Sequence, residues 1–328
     1  MTGKPGIRRT ISFCLTALVG LSSCATSANL LTLKMLNWVN LKGSSLARVR
    51  AGKSFVDEAS TQARPDAAFL RWFSVRSDEV EGHPVFTISP KNAPSTKTVL
   101  YLHGGAYSVT FTAAHWAFFG KLIDGTNCSI VAPDYPLPPD SDWKASWAVV
   151  EAVYAGIVAG GASGPILMGD SAGGGFALAL AEELSTAEMP RPQKLVLLSP
   201  WLDITMTNPG IAAVVDKDPI LSVEALRLAG RRWAGDTDPA DWHLSPLYGP
   251  VEGLPPIALF TGTADVLNPD ARTLRDRLAA LGRPCDYREF PDMVHVGMML
   301  GFPGSAEARA QVIEMIKGAA RETEIIVR

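Results

Sequence analysis

Apolar residues recur at helical spacing early in the chain: Leu30, Leu33, Leu36 and Val39 fall on one face, with Lys34, Asn37 and Asn40 between them. This periodicity predicts an amphipathic helix over 30–41, and residues 47–59 suggest a second. Further on, the pattern changes to short apolar runs bounded by turn residues. Residues 68–75 and 84–88 read as paired strands around a turn within 78–82. Runs at 98–102, 129–132, 165–168, 195–198, 257–260 and 285–290 complete the strands, while 143–159, 176–184 and 271–281 read as helices. Strands alternating with helices predict an α/β fold with a mostly parallel sheet covered on both faces. Ligands of such sheets bind outside the carboxyl ends of the strands. Residues 202–256 break the alternation and are too long for a plain crossover. They hold a helical stretch at 222–233 among many prolines and aspartates, and are expected to form a lid or specificity element.

Composition sharpens the picture in three places. A chain of 328 residues, 47% hydrophobic, can bury a large core. Its net charge of -3 gives no basic field for nucleic acid or an anionic membrane surface. Its beginning is not fold material: Lys4, Arg8 and Arg9 precede an apolar run over 11–21 that is too short to span a bilayer. Leu21-Ser22-Ser23-Cys24 follows and resembles the bacterial lipoprotein box. Residues 1–23 are therefore expected to be a signal peptide for export, with Cys24 lipidated as the membrane tether. The remaining cysteines, Cys128 and Cys285, open strand runs far apart in the sheet and are expected to be small buried residues without a disulfide.

The candidate chemistry sits at strand ends. Gly169-Asp170-Ser171-Ala172-Gly173 fits G-x-S-x-G, with a strand before and a helix after. A sharp turn there leaves the serine hydroxyl exposed at a helix N-terminus, which makes Ser171 the candidate nucleophile. His103-Gly104-Gly105-Ala106 follows an earlier strand, where glycines let backbone N–H groups approach a tetrahedral oxyanion. Gly104, Gly105 and Ala172 are the expected donors. His295 lies after the last strand, as the chain order Ser…Asp…His requires of the base. His83, His103, His115 and His243 are worse placed. For the acid, Asp203, Asp270 and Asp292 are rivals, but Asp265 alone joins the end of the next strand to a turn before a helix. No cluster of ligand-type residues implies a metal, and no organic cofactor is needed.

These pieces resemble the hormone-sensitive-lipase family of α/β-hydrolases, which includes bacterial esterases and lactonases. The resemblance runs from about residue 98 to the C-terminus. It rests on His103-Gly104-Gly105, Asp134-Tyr135-Pro136-Leu137, Gly169-Asp170-Ser171-Ala172-Gly173-Gly174, Ser199-Pro200-Trp201-Leu202-Asp203 and Asp265-Val266-Leu267. It implies Asp265 as the acid, eight strands in the order 1-2-4-3-5-6-7-8, and a cap built from N-terminal helices and the insertion. The organisation expected is then a leader over 1–23, cap helices over 25–66, and a catalytic domain over 67–328 with an insertion at about 202–256. Ala106 stands where the family usually has a third glycine, and Val296 where an aromatic residue is common. The activity implied is cofactor-free hydrolysis of short to medium acyl esters or small lactones, through an acyl-enzyme. A binding protein on this fold would be expected to lack the base, which His295 supplies. An acyltransferase would keep the same three residues.

Overall fold

The computed structural model describes residue 47 and residues 64–318, other than 96, 162 and 163. The expected leader, Cys24 and the helix at 30–41 lie outside the described residues, as does the helix at 47–59 apart from Ala47. The strands are β1 (Phe73–Val80), β2 (His83–Pro90), β3 (Thr98–Leu102), β4 (Ser129–Pro133), β5 (Ile166–Asp170), β6 (Lys194–Leu198), β7 (Ile257–Ala264) and β8 (Asp286–Val294). They form one eight-stranded sheet in the order β1-β2-β4-β3-β5-β6-β7-β8. β1 and β2 are antiparallel to their neighbours, and the pairs from β4 through β8 are parallel. This is the α/β-hydrolase architecture, with helices α1 (Ala113–Thr126), α2 (Trp143–Ala159), α3 (Ser171–Thr186), α4 (Val223–Ala234), α5 (Asn268–Ala280) and α6 (Ser305–Lys317).

Successive side chains of a strand point to opposite faces, and the central strands carry apolar residues at both phases. Leu100, Leu102, Leu167, Leu195 and Leu197 enter one core with α2, α3 and α5. Val99, Tyr101, Ile166, Met168, Val196 and Leu198 enter the other with α1 and α6. The sheet thus separates two cores. Helix starts are fixed locally: the Asp142 carboxylate accepts the N–H groups of Lys144 and Ala145 at α2, and the Ser222 hydroxyl accepts that of Ala225 at α4.

The structure departs most from the sequence reading at the first strand and at two helices. β1 begins at Phe73, because residues 69–72 form a short helical turn whose first N–H bonds to Asp66 at 2.8 Å. Asp78 and Glu79 lie within β1 rather than in a turn. An edge strand exposes one face, so acidic residues are tolerated there, and the hairpin turns at Glu81-Gly82, both at positive φ. Helices α1 and α6 were not anticipated; α1 is buried on so many sides, through Trp116, Phe118, Phe119, Leu122 and Ile123, that no clean polar face marks it. Cys128 and Cys285 are free, with four strands between β4 and β8 in the sheet. Residues 202–256 hold a 3₁₀ turn (Pro209–Ala213), α4 and a second 3₁₀ turn (Pro246–Tyr248). No helix among the described residues is long and apolar enough to cross a membrane.

Candidate active site

The carboxyl ends of β5, β7 and β8 deliver three side chains to one point. Between β5 and α3 the chain turns at Ser171, whose φ of 51° lies in the left-handed region that L-residues rarely adopt. The turn is tight enough to need glycine on both sides. A Cβ on Gly169 would run into the carbonyl of Gly173, and one on Gly173 into the carbonyls of Leu102 and His103. The Ser171 hydroxyl lies 2.9 Å from His295 Nε2, and His295 Nδ1 lies 3.0 Å from Asp265 Oδ2. The other Asp265 oxygen accepts the Leu267 N–H at 2.9 Å. All three side chains are buried. Burial would lower the pKa of His295, but Asp265, through its charge and hydrogen bond, and then Asp218 and Asp170 outweigh it and raise the imidazole above its ordinary value. The loop of the histidine is held from β6: the Val296 N–H donates to the Ser199 hydroxyl at 3.1 Å.

The rival acids are engaged elsewhere. Asp203 accepts the N–H and hydroxyl of Thr205, at 2.8 and 2.5 Å, and the Tyr248 hydroxyl at 3.1 Å. Asp270 accepts the Asn208 amide at 2.7 Å, and burial pushes its carboxyl up to about 7. Asp292 lies near the end of β8 with a left-handed φ of 54°, its N–H bonded to the Thr263 hydroxyl.

The oxyanion loop corrects one expectation. The Gly104 N–H donates to Asp170 Oδ1 at 3.0 Å, so it is not free for an oxyanion. The same carboxylate oxygen accepts the Tyr101 hydroxyl at 2.7 Å and lies 3.2 Å from His115 Nε2. Burial would raise the pKa of Asp170, but His115, Tyr101 and Gly104 together hold it below the usual carboxylate range. Asp170 therefore anchors the loop, and the N–H groups of Gly105, Ala106 and Ala172, near the serine, have no described partner. Beyond them Tyr107 donates its hydroxyl to the Ala172 carbonyl at 2.8 Å and stacks on Trp233 of α4 with ring centres 4.0 Å apart. His103 stacks on Tyr135 at 4.2 Å, and burial lowers its pKa. No group of metal-ligating side chains occurs among the described residues.

Sequence reasoning passed over Asp170, His115, Tyr107, Ser199 and Asp218. The first lay inside the quoted motif. His115 was weighed only as a base, and Asp218 stands in an aperiodic stretch with no signal of its own.

Residues 99–299 match the family model described as alpha/beta hydrolase fold. An esterase from the bacterial hormone-sensitive lipase family superposes with a TM-score of 0.71 at 26% identity, covering 84% of this chain and 97% of that one. The chain belongs to the hormone-sensitive-lipase family of α/β-hydrolases. Among family members it resembles an acetyl-hydrolase of Streptomyces hygroscopicus, 33% identical over 61% of this chain and 68% of the relative. It also resembles an esterase of Acinetobacter venetianus, 27% identical over 86% of this chain and 91% of the relative. The family member EstE5, in a crystal soaked with p-nitrophenyl butyrate, superposes with a TM-score of 0.70 at 26% identity, covering 78% of this chain and 87% of that one. With such relatives the chain is assigned to the carboxylic ester hydrolases.

Proposed function

We propose that the protein is a serine carboxylesterase that cleaves short to medium acyl esters or small lactones through an acyl-enzyme. The observation that carries this reading is the continuous path Ser171–His295–Asp265, with hydrogen-bond lengths of 2.9 and 3.0 Å. Ser171 Oγ attacks the ester carbonyl while His295 Nε2 takes its proton, and Asp265 holds the imidazole with Nδ1–H toward itself. The N–H groups of Gly105, Ala106 and Ala172 receive the negative oxygen. His295 then gives the proton to the leaving alkoxide. In the second half His295 deprotonates water, which attacks the acyl carbon, and the proton returns to Ser171. A fluorophosphonate probe should label Ser171, and Ser171→Ala should abolish labelling and lower p-nitrophenyl butyrate turnover by about 10³-fold or more. Turnover within tenfold of wild type would refute the assignment. A panel of graded acyl lengths should peak at short to medium chains.

The same reading extends to location. Lys4, Arg8 and Arg9, the apolar run 11–21 and Leu21-Ser22-Ser23-Cys24 support export and a lipid tether at Cys24. Intact-mass analysis of the membrane fraction should give a chain that starts at an acylated Cys24, and Cys24→Ser should abolish the modification.

A further inference from the structure

The insertion sends one carboxylate into the back of this site. Asp218 is buried, and its Oδ2 accepts the N–H of Val266, the residue directly after Asp265, at 2.9 Å. Its Oδ1 accepts the N–H groups of Ile220 and Leu221 at 2.7 and 2.9 Å, which fixes the carboxylate on its own segment. The turn after β7 is therefore held by two carboxylates. Asp265 takes the Leu267 N–H, and Asp218, from 47 residues upstream of it, takes that of Val266. Val266 is fully buried, so its N–H needs a partner. A neutral acceptor would meet that need with less desolvation; a carboxylate also brings a negative charge into a dry site.

We propose that Asp218 is a positioning residue for the base: it clamps the loop of Asp265 and adds a further buried negative charge, beside those of Asp265 and Asp170, that acts on His295. This rests on the triad reading above. The charged and titratable groups acting on His295 are Asp265 at the end of β7, Asp218 in the insertion and Asp170 at the end of β5. Asp265 and His295 act in turn on Asp218. Burial first, and then the charge of Asp265, push the Asp218 carboxyl above the usual range, while the N–H groups of Leu221 and Val266 and the charge of His295 pull it back. An imidazole that gains a proton during attack is helped by each of these charges.

The test is the pH profile of fluorophosphonate labelling of Ser171, which reads the base without a substrate. In wild type the acid limb should have its midpoint above the ordinary histidine value of about 6.5. Asp218→Asn should move that midpoint down by about 0.5–1 unit and lower the plateau roughly tenfold. Asp218→Ser, smaller and also uncharged, should move it the same way. A merely structural residue would lower the plateau or the melting temperature and leave the midpoint in place. A midpoint within 0.2 unit of wild type in either folded variant overturns the proposal, roughly the precision of such a titration. If neither variant folds, a wild-type midpoint at or below about 6.5 overturns it. Wild-type protein that does not label at all refutes the triad reading itself.

Discussion

Tyr107 shows how much one side chain can fix. Its backbone is left-handed, with φ of 50°, just after Gly105 and Ala106, two of the proposed oxyanion donors. Its hydroxyl ties that loop to the carbonyl of Ala172, the proposed third donor. With Gly104 pinned to Asp170, the loop is held on both sides of Gly105 and Ala106. Tyr107→Phe keeps the stack on Trp233 and removes only the tie. It should lower kcat roughly tenfold, about 1.4 kcal/mol, with little change in KM or melting temperature. The sequence singled out Ser171, His295 and Asp265 because chemistry restricts which residue types can carry the proposed reaction, and the structure links these three side chains by hydrogen bonds through His295. It misassigned Gly104, since the partner that takes its N–H is a side chain 66 residues later whose direction no local pattern reports.

Among the elements, α4 joins the insertion to the site. It was legible as the helical stretch expected at 222–233, and the observed Val223–Ala234 begins one residue after that start because Ser222 serves as the cap. Its function was not legible, because stacking of Trp233 on Tyr107 depends on how the insertion folds back. Trp233→Ala should destabilise the protein by about 3–5 kcal/mol in urea unfolding. It should also reduce kcat more than Tyr107→Phe, since the loop loses its packing surface. Strands were easy to find where both phases are apolar, as in β3, β5 and β6, and hard where one face meets water, as in β1.

At the scale of the molecule, one buried acid should shape the pH dependence of stability. Glu182 of α3 is fully buried beneath Gly249, and neither carboxyl oxygen has a hydrogen-bond partner among the described residues. Burial pushes its pKa up to about 9, against the lesser opposing charge of Arg277. The folded chain therefore keeps a proton that the unfolded chain releases above about 4.3. Stability must then fall as pH rises from there to about 9, by up to about 1.4 kcal/mol per unit. Glu182→Gln keeps the shape without the titration. Its urea midpoint should exceed that of wild type at pH about 8 by more than at pH about 5, and equal gains at both would count against this account.

The two-sided sheet also bears on how this chain can diverge or be redesigned. Leu180 and Val312 lie in different cores, with the sheet between them. Substitutions at positions so separated should combine additively, within about 0.5 kcal/mol, while pairs inside one core should not. Neutral drift can then proceed on the α6 face without restricting which residues are tolerated beneath α3. A combinatorial library can be searched as two small problems whose best answers are merged.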